Sequence, residues 1–447
     1  MRLTVACRLA GTAAVLAACL FASTPASAAD PIRLTEQFAE GDRYHVSVRV
    51  DLSGSLTLPT EKGKIAVPLS LNGDSAIDYD ERLLALDKDG TVRKTVRICR
   101  RTDFRRTLGG QTQQSSLRPA VRRLVILRRD SVEVPFSPDG ALTWGEIDLI
   151  RTDVFTPALA GLLPANPVQP GDRWIATEGA VRELTDLDRI DEGKLECRLE
   201  QTTTVEGKKQ ARVALSGTVR GLNRDGPNRQ VLEGYFYFDL ESNHLSYLYL
   251  KGIHALLDRD GREIGKVEGR FVMTRQANND CPELSDAGLK NVVLEPNADN
   301  TLLLYDNPDL GIRFLYPRRW RIAAVRGAQI ALDGADGNGI LLTIDPPTRL
   351  TAGSQFQTES RDWLIKQRAR IVREEPLRNP GNQPALENFA LEAELSGQKF
   401  LMDYYVGRQP AGGVTVAARL VPAERDEARR ELLRMAQSIT LSVPGKR

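Results

Sequence analysis

The sequence predicts a β-rich α+β protein: a large curved antiparallel sheet, half-barrel or sandwich, crossed by one helical segment and followed by a smaller α+β unit. Three observations carry this reading. Gly234–Gly252 (GYFYFDLESNHLSYLYLKG) is two aromatic arms folded back over the turn residues Glu241–His244. Residues 32–277 read as strands almost throughout. After residue 300 the pattern changes to short strands interrupted by two helical stretches.

The hairpin sets the centre. Aromatic and apolar side chains occupy both parities of each arm, and successive strand residues point to opposite faces. Both faces are therefore expected to meet apolar material, which places the hairpin in the middle of a sheet. In a half-open barrel such a hairpin would pack a helix outside and hold an acyl chain inside. Tyr235, Tyr237, Tyr247 and Tyr249 are then the candidate ligand-binding residues. The alternative is a sandwich core with no cavity.

The elements follow in order. Residues 1–29 read as a secretory signal: Arg2 and Arg8, an apolar run from Leu9 to Phe21, and small residues Ala26–Ala29 at the cleavage site. A competing reading is a lipobox, Leu16-Ala17-Ala18-Cys19, which makes Cys19 the candidate lipidation residue. Either reading sends the chain to the periplasm or outside the cell. No later segment has the roughly 18 apolar residues of a membrane span. Arg43–Leu52 alternates, with Tyr44, Val46, Val48 and Val50 on one face. Strands are expected at Ile65–Leu71 (an edge strand, given Pro68), Ser75–Leu83, Thr91–Thr102 and Val121–Arg129. Trp144–Leu163 recurs at helical spacing and Pro157 breaks it in two. Strands resume at Gly193–Thr204, Ala211–Val219 and Gln230–Leu240, then the second hairpin arm, then Ile264–Arg275.

Gly41-Asp42-Arg43-Tyr44 is echoed by Gly171-Asp172-Arg173-Trp174. Each opens a set of strands, which suggests two half-sheets joined through the helical segment. The stretches PVQPGDRW, EGDRY and YFDLESNHLSYL resemble motifs of a broad group of secreted bacterial β-proteins of unknown function. That resemblance implies a curved antiparallel sheet and supplies no catalytic residues.

Residues 276–300, rich in Asn and Asp and without periodicity, are read as the linker. The expected division is signal 1–29, β domain 30–277, linker 278–300 and a last domain 301–443. In that last part strands surround the turn Asp306–Asp309, and Gln355–Ile371 is a helix offering Trp363, Leu364 and Ile371 to one face. A meander follows, and Glu424–Ile439 closes the chain with an apolar stripe. This order, headed by YDNPDLGIRFLYPRRW, resembles the PsbP-like domain. The resemblance implies an α/β/α sandwich on an antiparallel sheet and an accessory or scaffold role without a shared catalytic site.

Composition narrows function. The signal removes two of the 61 basic residues and none of the 59 acidic ones, leaving a balance that gives no reason to expect nucleic acid. There is no Gly-x-Ser-x-Gly, His-Glu-x-x-His or Cys-x-x-Cys, and the Gly261–Val267 and Gly334–Gly339 stretches have the wrong spacing for phosphate or dinucleotide loops. With three histidines on distant strand positions, neither a metal nor a cofactor is expected. Asp186, Asp188, Asp191 and Glu192 read as a solvated acidic loop. Cys99, Cys197 and Cys281 remain after cleavage, and no pairing is legible.

Between Arg93 and Arg129 lie twelve basic residues and a single acid, Asp103. Arg97, Arg100, Arg101, Arg105, Arg106, Arg122 and Arg123 are the candidate patch for an anionic partner. The competing reading is strand faces paired with acids elsewhere. The leading functional expectation is a non-catalytic envelope binding or scaffold protein, whose partner is a protein or cell-envelope component. The alternatives are a carrier of a lipid or other apolar ligand, and a hydrolase with an unrecognised carboxylate site.

Overall fold

The computed structural model describes residues 30–57, 67–129, 132–205, 207–334, 337–380 and 385–445. The expected signal of residues 1–29, with Cys19, lies outside the described residues.

Hairpin after hairpin builds one large sheet. Its first meander is β1 (Arg43–Thr57), β2 (Pro68–Leu86), β3 (Val92–Leu108), β4 (Gln111–Ser116), β5 (Arg123–Arg129) and β6 (Val132–Phe136). The two-residue β7 (Leu142–Thr143) belongs to a different sheet. The second meander is β8 (Arg173–Ile175), β9 (Arg189–Val205), β10 (Lys208–Asn223), β11 (Gly226–Asp239), β12 (His244–Leu257) and β13 (Glu263–Ala277). Along the sheet the order is β6-β5-β3-β2-β1-β13-β12-β11-β10-β9-β8, with β4 branching from β3. The first strand of one meander pairs with the last of the other, antiparallel, and the sheet is open at β6 and β8.

The repeated motif is one turn built twice. Gly41 and Gly171 take left-handed φ of 95° and 100°, conformations glycine adopts at no steric cost. The Asp42 carboxylate accepts from Ala39 N–H and that of Asp172 from Gln169 N–H, both at 2.8 Å. The strand then starts with its aromatic toward the core. Ile32 and Val168, ahead of the two turns, form an antiparallel bridge.

One face of the sheet carries the core. Tyr44, Val46 and Val48 of β1 stand beside Ile77 and Tyr79 of β2 and Met273 of β13, all buried. Phe236, Phe238, Leu248, Val213 and Leu199 continue the row across β12 to β9. The helical segment lies against this face. It splits into α1 (Trp144–Arg151) and a 3₁₀ stretch, Thr156–Leu162, with Pro157 in the first turn of the second piece. Thr143 and Glu146 close α1 with a capping box. A second helix, α2 (Glu178–Thr185), was not legible in the sequence. Ile147, Ile150, Leu159, Leu162, Ala180 and Val181 sink into the same core.

The other face differs from expectation. Tyr235, Tyr237, Tyr247 and Tyr249 are half-buried on the outer side, packed on each other rather than under a second layer. The hairpin is therefore apolar on one face and tyrosine-clad on the other. Toward β3 the outer face is covered by the presumed linker. There Cys281, Leu284 and Leu289, from a 3₁₀ turn and α3 (Asp286–Leu289), are buried against Val96, Ile98, Val125 and Phe136.

The last region opens with β14 (Leu303–Asn307) and β15 (Ile312–Tyr316). Next come β16 (Arg321–Arg326), β17 (Gln329–Asp333), β18 (Gly339–Asp345), α4 (Gly353–Lys366) and β19 (Arg370–Arg378). The chain finishes with β20 (Leu386–Leu395), β21 (Gln398–Gln409), β22 (Gly412–Leu420), α5 (Arg425–Ser438) and β23 (Thr440–Leu441). The seven-stranded antiparallel sheet runs β16-β17-β18-β22-β21-β20-β19. Phe356 of α4 packs edge-on against Tyr404, while Arg429 of α5 bonds Asp403, so adjacent strand residues meet the two helices from opposite faces. This is an α/β/α sandwich.

Helix α4 ends earlier than expected. Arg368 turns left-handed (φ 62°) and its N–H donates to Ile365 O at 2.9 Å, so Ile371 falls in β19. Leu364 is buried as expected, but Trp363 is 54% exposed. The stripe of α5 (Ala428, Leu432, Met435, Ala436) is buried. A small sheet, β23-β15-β14-β7, stitches the two regions through a parallel pairing of β7 with β14.

Candidate functional site

The four tyrosines form a two-by-two block. Cross-strand pairing sets Tyr235 opposite Tyr249 and Tyr237 opposite Tyr247. Ring centroids are 5.5 Å apart for the first pair and 5.8 Å for the second, and Tyr235 also lies 5.7 Å from Tyr237. These are spacings at which aromatic pairs attract. Arg212 places its guanidinium 4.3 Å from the Tyr235 ring centroid and pairs with Glu200. Burial, then hydrogen bonding to Tyr235, pushes the Tyr247 hydroxyl up to about 12, so it stays protonated as a donor. On the same face Glu233 stands opposite Lys251 and Val231 opposite Ile253, with Val231 41% exposed. The block thus offers aromatic area, hydroxyl donors and a rim of paired charges on the sheet, and faces away from the helix-covered core side.

Most of the basic run is paired within the chain. Arg97 is buried, bonded to Glu81 at 2.8 Å and to Asp153 at 3.0 Å, and stacked over Tyr79. Arg100 bonds Asp80 at 2.6 Å, Arg101 bonds Asp103, and Arg123 reaches Asp139. Arg122 pairs with Glu283 and Lys94 with Glu295, while Arg82 donates to Leu284 O and pairs with Asp286. Arg106 bonds Gln113, and Arg105 is exposed on β3. Lys94 and Arg122 of the run, with Arg82 beside it, pair with the chain's own acidic strap, residues 279–295. Asp80 is its anchor: it also holds His45 Nδ1 at 2.8 Å and Asn279 at 2.6 Å. Burial opposes the Asp80 charge, but the bonds from His45 and Arg100 outweigh it and lower its pKa.

A second charged cluster sits under the helical segment, and sequence reading missed it. Glu81, Arg97 and Asp153 interlock, Thr156 Oγ1 reaches Glu81 at 3.3 Å, and Arg128 bonds Glu183 at 2.6 Å. Burial pushes Asp153 up to about 6 and Glu133 up to about 7, against the pull of Arg97. The one available signal was parity: Glu81 falls on the side of Ile77, Tyr79 and Leu83, whereas Arg97 shares its parity with Arg93 and Thr95 and gave none. Glu81 and Asp153 are paired with Arg97, and Glu183 with Arg128, and the Arg97 guanidinium stacks over Tyr79.

The remaining candidates resolve simply. Asp186 ends α2 in a left-handed conformation, Asp191 pairs with Arg189 and Glu192 with Arg220. Among the described residues no group of three or more His, Cys, Asp or Glu side chains is arranged to hold a metal. Cys99, Cys197 and Cys281 are free and buried, and burial raises all three thiols, Cys99 and Cys197 to about 12. Among the described residues no helix is long and apolar enough to cross a membrane.

No protein-family model matches the chain, and no curated protein matches it. Among solved structures, cyanobacterial PsbP from Synechocystis sp. PCC 6803 is similar at 15% identity, over 32% of this chain and 92% of that one, with a TM-score of 0.25. The Ran-binding protein Mog1p of Saccharomyces cerevisiae is similar at 9% identity, over 32% and 96%, with a TM-score of 0.26. DynF from the dynemicin biosynthesis pathway of Micromonospora chersina is similar at 8% identity, over 55% and 86%, with a TM-score of 0.14. Likenesses of this size carry no argument, and the layering of the last region rests on the chain's own geometry.

Proposed function

We propose that this chain is a non-catalytic binding or scaffold protein of the cell envelope, exported by its first 29 residues, and that the tyrosine block is its docking face. The partner is a protein. One observation carries the reading: four tyrosines with an arginine stacked on them lie half-exposed on a rigid sheet, while comparable aromatics, Phe236 and Phe238, fill the core directly beneath. Tyr and Arg are the residues that dominate the energetics of protein interfaces. The sheet supplies preorganisation, so few rotamers are lost on docking.

The test is site-specific photo-crosslinking in cells. A photoreactive residue replacing Tyr249 should give a protein adduct of discrete mass, and Tyr235→Ala in the same chain should abolish it. The same residue replacing Lys399, exposed on the β20–β21 hairpin, should give none. No adduct at Tyr249, or equal adducts at both sites, overturns the proposal. Intact mass of the purified protein reads the export step, since cleavage ahead of Asp30 and lipidation at Cys19 differ by mass.

A further inference from the structure

A cleft of about 480 Å³ opens where residues 298–302, the end of β15 and helix α5 meet. Leu302, Leu315, Pro317 and Met435 supply apolar wall, and Arg318, Arg434, Glu431 and Asp299 supply charge. Its size lies within the roughly 300–1,000 Å³ range of small-molecule sites, and it sits at a junction between regions, where such sites concentrate.

The charges are not equivalent. Arg434 pairs with Asp299, and Glu431 accepts from both Arg319 and Trp320. Arg318 instead donates to two main-chain carbonyls, Thr301 O at 2.8 Å and Pro135 O at 2.5 Å. Those bonds fix its position and leave its charge uncompensated. Among the described residues no carboxylate lies within ion-pair distance of it. Burial, reinforced by the like charge of Arg151, lowers the Arg318 pKa to about 10, which marks a cation short of a counter-ion. Arg151 itself has a buried Nη1 with no hydrogen-bond partner. The lining charges cancel in sum, but Asp299 is paired with Arg434 and Glu431 with Arg319, so Arg318 is the lining cation left beside the apolar surface without an ion-pair partner.

We propose that this cleft binds a small amphipathic anion, its carboxylate or phosphate against Arg318 and its short apolar body against Leu302, Leu315, Pro317 and Met435. The proposal is independent of the tyrosine face. A free short-chain anion suits the volume, whereas a bilayer lipid headgroup offers the same charge from another source.

Calorimetric titration of the full mature chain with octanoate, and with octanamide as its neutral counterpart, tests this. Octanoate should bind saturably and roughly tenfold more tightly than octanamide, the scale of one charge-assisted hydrogen bond. Arg318→Gln should erase that preference. Because Arg318 also bridges to Pro135, two surface variants guard against misfolding: Gln437, exposed on the cleft rim, changed to Glu should weaken octanoate, and changed to Lys should strengthen it. Ala298→Trp, also on the exposed rim, should block both ligands. No saturable octanoate binding, or equal affinities across the Gln437 pair, overturns the proposal. Capture of the chain by phosphatidylglycerol vesicles with no octanoate binding replaces the free anion with a headgroup and overturns it as well.

Discussion

Glu81 and Arg97 stand opposite each other on β2 and β3 and form an ion pair of 2.8 Å, their side chains 0% and 4% exposed. Removing Glu81 leaves the buried Arg97 with half of its carboxylate partners, Asp153 alone. Glu81→Ala should cost about 3–5 kcal/mol in urea unfolding. The double change Glu81→Leu/Arg97→Met should cost less than the two singles summed, because Arg97→Met alone strands both Glu81 and Asp153 whereas the double change leaves only Asp153. A double-variant loss equal to the sum of the singles would contradict this account of the pair.

Glu133 gives the fold a pH dependence. Its carboxyl holds a proton more tightly when folded (about 7) than in the reference state (4.5). A raised carboxyl contributes stability that is full below about pH 4.5 and is lost as pH rises through about 7. Asp153, raised from 3.8 to about 6, acts in the same sense over a lower window. Glu133→Gln should therefore flatten the fall of Tm between pH 4.5 and 7 and raise stability at pH 8, by about 2 kcal/mol or less. An unchanged Tm profile would show that Glu133 titrates normally.

Burial keeps all three thiols unreactive in the native state. Cys281 differs in being covered by the strap alone, whereas Cys99 and Cys197 lie in sheet strands. Leu284→Asp, which undermines the strap, should expose Cys281 to a thiol reagent while Cys99 and Cys197 stay protected. Labelling all three at one rate would mean that the strap and the sheet open together.

Neighbouring residues 235 and 236 separate docking from folding. Phe236→Ala should cost about 3–5 kcal/mol, since the ring is fully buried. Tyr235→Ala loses aromatic contacts, the Arg212 stack and the hydrogen bond with Tyr247 at a half-exposed site, about 1–2 kcal/mol. Thermal melting of the two variants checks this contrast, and equal losses would place Tyr235 in the core.

The strands were legible because a period-two pattern survives even where both parities are large. What that pattern does not fix is which face a tyrosine meets, and the Tyr235 block went to the outer side. Helix α2 escaped notice because eight residues, with only Ala180, Val181 and Leu184 apolar, make barely two turns of pattern. The basic run looked like a patch because most of its partners lie outside it, on the neighbouring strand for Arg97 and Arg100 (Glu81 and Asp80) and far along the chain for Arg122 and Lys94 (Glu283 and Glu295). The cleft was hidden for the same reason, its walls coming from residues 298–302, 315–318 and 431–438. By contrast the Gly-Asp-Arg echo needed no distant partner, and its two turns match bond for bond.

Leu142 and Thr143 run parallel to Leu303 and Leu304 in β7 and β14. That two-residue weld joins chain positions on either side of the strap, so scission at residues 278–300 would not free two tidy fragments. Each piece would carry a raw edge seeking its lost neighbour. Gene fragments divided there should reassemble when co-expressed and precipitate when made alone.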